Sequence, residues 1–238
     1  MMEWIVDNLC GEIISFIVGG ILAWGIANRK HIFTSIEALI YKNTDFRVSI
    51  AYLFRINIDN RYLLIKGNRI EQYQPVGGVY KYHSSFNELF NSLELRHENE
   101  KAFYEKNDLR VYVKGQYLDK LINWFESGKN RECTIEREFV EELIETDIVD
   151  KNIMEEVDFE FLKRVNNGIH YSPHFKCKEI LIYDIYDVIL NENAKVTFEL
   201  CAKRNTNIVL ATFDEIEREC LDIDGKSCKI GAHAKHIR

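Results

Sequence analysis

Apolar and polar positions along this chain fall into distinct regimes. The first is the run LCGEIISFIVGGILAWGIA, residues 9–27, dominated by apolar residues with Glu12 its only charge. A spanning helix needs about 20 mostly apolar residues. The segment is preceded by Glu3 and Asp7 and followed by Arg29, Lys30 and His31. A removable leader has the opposite order, with its basic residues first. The pattern predicts a single transmembrane helix within residues 1–30. Basic residues mark the cytoplasmic side, so the N-terminus is expected outside and the rest in the cytoplasm. Gly11, Ser15, Gly19, Ala23 and Ala27 recur on one helical face. Small residues let helices approach closely in lipid, so Ser15, Gly19, Ala23 and Ala27 are expected helix-packing positions. Glu12 would face a pore or the headgroups. Small residues are also simply common in membrane helices.

Beyond residue 30 the pattern changes. Residues 31–46 form an amphipathic connector with Ile32, Phe33, Ile36, Leu39 and Ile40 on one face. Residues 47–238 then read as one domain. VSIAYLFRI (48–56) and RYLLIK (61–66) are strands joined through an Asp59-Asn60 turn, a hairpin signal. QYQPVGGVYKY (72–82) is extended, with a break at Gly77-Gly78. A helix is expected over 86–95, a strand over 109–115, and a helix over 116–128 closed by Gly128. The strongest helical pattern spans 132–146. Strands follow at 157–165, 177–190, 195–202 and 207–212, with a short helix at 213–220. Strands on both sides of one strong helix predict a mixed α/β sandwich.

Composition narrows the function classes. The domain is aromatic-rich and the whole chain has only two prolines, so disorder is excluded. A net charge of −7 argues against nonspecific DNA or RNA binding. Cysteines at 10, 133, 177, 201, 220 and 228 form no CxxC pair, which argues against zinc.

The candidate chemistry lies in REFVEELIE, residues 137–145. Helical spacing puts Glu138, Glu141, Glu142 and Glu145 on one face, with Phe139, Val140, Leu143 and Ile144 on the other. A row of carboxylates repels itself. Mg²⁺, a hard cation commonly shared with substrate phosphates, would relieve that repulsion. An ordinary solvated helix face is the plain alternative.

These residues resemble the Nudix family box. Arg137, Glu138, Phe139, Glu141 and Glu142 match its core, Pro75-x-Gly77-Gly78 resembles the turn before it, and NIVLATF with DEIERE resembles the domain's end. The resemblance covers roughly residues 46–220. It implies a Nudix-like α/β/α sandwich in which Glu138, Glu141 and Glu142 hold metal, with Glu138 as the base if the protein is a hydrolase. The departures favour sensing over hydrolysis. An insertion, about 84–130, splits the box, Lys129 stands where the family has its first glutamate, and Ile144 replaces the late glycine.

A membrane helix before a divergent Nudix domain resembles the SMODS-associated Nudix effectors of bacterial anti-phage CBASS systems. The resemblance implies a domain that binds a cyclic oligonucleotide messenger, self-associates into a homo-oligomer and drives its helices to disrupt inner-membrane lipid. No cofactor is then required, although Mg²⁺ fits the glutamate row. Arg47, Arg55, Arg69, Tyr73, Gly77, Gly78 and Tyr80 are the expected ligand set, by pairing with phosphate or stacking on bases. Each arginine could equally be surface charge, and each tyrosine strand packing. The rival readings are a membrane-anchored Nudix hydrolase of nucleoside diphosphate derivatives, and a tethered interaction protein without a ligand. His170 and His174 flank a proline and are weak metal candidates. His233 and His236 close the chain, disordered or facing a pocket.

Overall fold

The computed structural model describes residues 23, 26, 29–67, 70–98, 107–132 and 134–238. The chain runs α1 (Arg29–Ile40), β1 (Asp45–Arg55), β2 (Asn57–Ile58), β3 (Arg61–Lys66), β4 (Tyr73–Pro75) and β5 (Gly77–Val79). It continues through α2 (Asn87–Ser92), β6 (Arg96–His97), β7 (Arg110–Lys114), α3 (Gly115–Glu126) and α4 (Glu136–Phe139). The last part is β8 (Val157–Ser172), β9 (Cys177–Leu190), α5 (Glu192–Arg204), β10 (Ile208–Thr212), α6 (Phe213–Glu217), β11 (Cys220–Ile223) and β12 (Lys226–Lys229), closed by a 3₁₀ turn at Ala232–Ile237.

The architecture is built on β1, whose residues Phe46 to Phe54 are all buried. A strand covered on both faces reads as a continuous apolar run. It pairs in parallel with β9, and antiparallel with β7 over its first half and β5 over its second. The large sheet runs β6–β7–β1–β9–β8, with β5 beside β1. A smaller sheet runs β10–β3–β2, with β4 also on β3. Alternate β1 side chains point to opposite faces. Val48, Ile50, Tyr52 and Phe54 join the main core with Leu118 and Phe125 of α3 and Phe139 and Leu143 of the carboxylate segment. Leu53 faces a second core with Ile216 of α6 and Ile237 of the C-terminal turn. Helices therefore cover one face and C-terminal elements the other. The Asp59-Asn60 turn forms with both residues at positive φ, the geometry of a two-residue hairpin loop.

Several expectations are corrected. Among the described residues no helix is long and apolar enough to cross a membrane. The expected fold class therefore loses its transmembrane helix, and the described residues form an α/β sandwich without one. Of the segment 9–27 only Ala23 and Ile26 are described. Ser15, Gly19 and Ala27 lie outside the described residues.

The apolar face expected on 31–46 is turned outward. Phe33 and Ile40 are 69% and 70% exposed, whereas Thr34 and Ala38 are buried. Packing on α3 requires close approach. A Cβ on Gly115 would stand 2.5 Å from the Ala38 carbonyl oxygen, and the Ser35 hydroxyl donates to Asp119 at 3.0 Å. Only the small face of α1 meets that requirement.

The strand expected at 195–202 is a helix, α5. Asn191 accepts the Ala194 amide as N-cap, Glu192 opens the first turn, and Lys203 and Arg204 close the last. Those signals satisfy the helix ends and its dipole, and they outweigh the strand-favouring Val196-Thr197-Phe198 triplet. The long helix expected at 132–146 is a short α turn followed by a wider π turn over Val140–Ile144. The Gly77-Gly78 break also shifts. The chain changes sheets at Val76, and both glycines lie within β5.

Candidate functional site

Strand β5 is stripped of side chains where it passes the carboxylate segment. A Cβ on Gly78 would overlap the Glu138 carboxylate, and one on Gly77 would overlap the Tyr52 carbonyl oxygen. Two glycines let helix, strand and backbone meet at that distance. Over this contact opens a cavity of about 360 Å³. Glu138, Glu141 and Glu142 line it on one side. Lys66 from β3, Lys81 and Arg110 from β7 line it elsewhere, and Gly77 and Gly78 form part of the wall.

Arg137 organises the acidic side. It donates bidentately to Glu132 at 2.6 and 2.9 Å, to Glu138 at 2.7 Å and to Glu141 at 2.6 Å. These charge-assisted bonds raise its pKa, the pairing with Glu132 most of all. Glu132 was not found as a site residue in the sequence. It stands three residues after the position where the Nudix pattern expects a glutamate, yet it pairs with the box arginine.

Glu138 is buried. Burial lifts its carboxyl to about 7. Arg137 opposes that rise and Glu141 adds to it. Next to it the Tyr52 hydroxyl is buried with no hydrogen-bond partner among the described residues. Its pKa is raised, first by burial and then by the charge of Glu138.

Mg²⁺, the ion the box implies, would need carboxylate oxygens that this geometry commits elsewhere. Glu138 and Glu141 each spend an oxygen on Arg137. Among the described residues no group of three His, Cys, Asp or Glu side chains gathers in a way that could hold a metal ion. The carboxylates as arranged do not fit a metal cage.

A second cavity of about 170 Å³ adjoins the first, and both are lined by Gln74, Gly77, Gly78, Val79 and Arg110. Its floor is Ser49, Ala51 and Leu53 of β1, and its far wall is Tyr183 and His233. The two together make one cleft that bends round β5.

Of the described residues in the expected ligand set, the structure brings only Gly77 and Gly78 to this cleft. Arg47 is buried between Glu98 and Glu179, with its guanidinium 3.9 Å from the Phe175 ring centre. Arg55 pairs bidentately with Asp187 at 2.7 Å. The Tyr73 hydroxyl donates to the Thr206 carbonyl, and the Tyr80 hydroxyl to Asp184 at 2.8 Å. These side chains are turned to the core and to ion pairs. Arg69 lies outside the described residues. His170 contacts Glu179 at 3.1 Å and His174 packs edge-on to Phe175. Lys81 and Arg110 carried no motif; only the pairing of strands brings them to the cavity with Lys66.

A family model described as a SMODS-associated NUDIX domain matches residues 45–238. Among curated proteins no match was found.

Proposed function

This chain belongs to the SMODS-associated NUDIX domain family, and we propose that its cleft binds a cyclic oligonucleotide as a signal and does not hydrolyse it. The family is linked to anti-phage signalling, and a nucleotide messenger is the signal proposed here. The observation that carries the sensing reading is the Arg137 cluster. Hydrolysis in a Nudix box needs carboxylates turned to metal and water. Here two of them, Glu138 and Glu141, are turned together with Glu132 to one guanidinium. Meanwhile Lys66, Lys81 and Arg110 face the same cavity, where phosphate oxygens would meet them. Messenger binding then shifts self-association of the domain. A ligand moves such an equilibrium only by its differential affinity for the two states, and a cyclic ligand with several equivalent phosphates can bridge protomers.

Hydrolysis of a nucleoside diphosphate derivative is the second reading. Glu138 favours it, because a carboxyl near 7 in a cleft is matched to proton transfer. One experiment separates the two. The full chain is titrated with cyclic di- and trinucleotides and with nucleoside diphosphate derivatives, in Mg²⁺ and again in EDTA, and the ligands are recovered. Sensing predicts one cyclic nucleotide bound in both conditions and recovered intact. Turnover of a diphosphate in Mg²⁺, lost in Glu141→Gln, would sink the sensing reading.

A further inference from the structure

We propose that the smaller cavity is a nucleobase subsite, with the base seated on the β1 floor against Tyr183 and His233. The inference rests on the nucleotide reading above and adds where the base goes and which residues select it. The hollow arises from side-chain size. Ser49 and Ala51 are small residues on one face of β1, and Tyr183 stands opposite Ala51 across the parallel pairing with β9. A large ring beside two small neighbours leaves a step in the sheet surface.

His233 closes the step. It belongs to the C-terminal turn, and that turn packs tightly: a Cβ on Gly231 would stand 2.8 Å from the His233 ring. The Tyr183 and His233 rings lie within 14° of parallel, with centroids 6.2 Å apart. The His236 ring lies with its centroid 5.3 Å from that of Tyr183. Every base offers a π face to such rings.

The chemistry suits a base more than a phosphate. Burial, and then His236, pull the His233 pKa down to about 4. Its ring is neutral at physiological pH, one nitrogen donating and the other accepting, which matches a base edge. Among the described residues Arg110 is the cation that lines it, and it lines both cavities. A nucleotide laid along the cleft would therefore put phosphate among Lys66, Lys81 and Arg110 and its base on Tyr183.

The test uses the full chain, calorimetry and two kinds of probe: the four ribonucleoside 5′-monophosphates, and ribose 5-phosphate, which keeps the phosphate and lacks the base. At least one monophosphate should bind roughly tenfold or more tighter than ribose 5-phosphate, the size of one stacked base. Tyr183→Leu should erase that preference. His233→Ala, at the chain's end, should reduce it if Tyr183→Leu fails to fold. Ribose 5-phosphate affinity should persist in both variants. Equal binding of all probes to the wild type, or a preference that survives both substitutions, overturns the base subsite while leaving the phosphate end intact. If no probe binds, ribose 5-phosphate included, the nucleotide reading falls and the subsite with it.

Discussion

Arg137 decides what the glutamates around it can do. Its bonds to Glu132, Glu138 and Glu141 convert a repelling row into a neutralised cluster. Removing the arginine leaves buried charge unpaired, which is strongly destabilising. Arg137→Ala should therefore cost about 3 kcal/mol or more by denaturant unfolding, far above the value of an exposed ion pair. Glu138 adds a pH dependence. Its folded pKa, about 7, lies above its ordinary value of 4.5. The group's favourable contribution is thus complete below pH 4.5 and is lost as pH rises through 7. Glu138→Gln cannot ionise. Its melting temperature relative to wild type should rise between pH 4.5 and 8, and a flat difference would show that Glu138 titrates normally. The two glycines differ in kind. A methyl at Gly78 meets the end of a side chain, whereas one at Gly77 meets the Tyr52 backbone. Gly77→Ala should therefore destabilise by about 2 kcal/mol and by more than Gly78→Ala.

Elements are settled by their ends and by their neighbours. Helix α5 forms where alternation suggested a strand because Asn191 caps it and Ala194 and Phe198, one turn apart, both reach the core. Asn191→Ala should cost about 1 kcal/mol, and Phe198→Ala about 3–5 kcal/mol, both read from chemical denaturation. Helix α1 shows the converse. Its hydrophobic stripe was visible in the sequence, but the tight seat on Gly115 accepts only Ala38 and its small neighbours. In the carboxylate segment the π turn after Phe139 widens the helix at Glu141 and Glu142. Single π turns recur at functional sites, and this one forms part of the cavity wall.

At the scale of the whole molecule, a chain of net charge −7 must gather cations locally to hold a phosphate. Lys66, Lys81 and Arg110 do so from three separate strand segments, with Asp108 and the glutamates close by. Nucleotide affinity should therefore fall as salt is raised. Lys66→Gln should weaken binding roughly two- to fivefold and flatten that salt dependence. An unchanged salt slope would move the phosphate away from Lys66.

The sequence alone determined what depends on near neighbours along the chain. The buried apolar run of β1, the Asp59-Asn60 hairpin, the helix that stops just before Gly128 and the carboxylate row all follow from local spacing and turn chemistry, and the residues around Arg137 carry the likeness to the family's box. Tertiary structure decided what depends on which elements meet. Glu132 took up Arg137 although it stands out of register with the Nudix pattern. Arg47, Arg55, Tyr73 and Tyr80 went to ion pairs and the core because β1 is covered on both faces. Tyr183 and His233, distant in sequence, became one wall only when the C-terminal turn packed against β9. Periodicity says which residues share a face, but burial and pairing decide what that face meets.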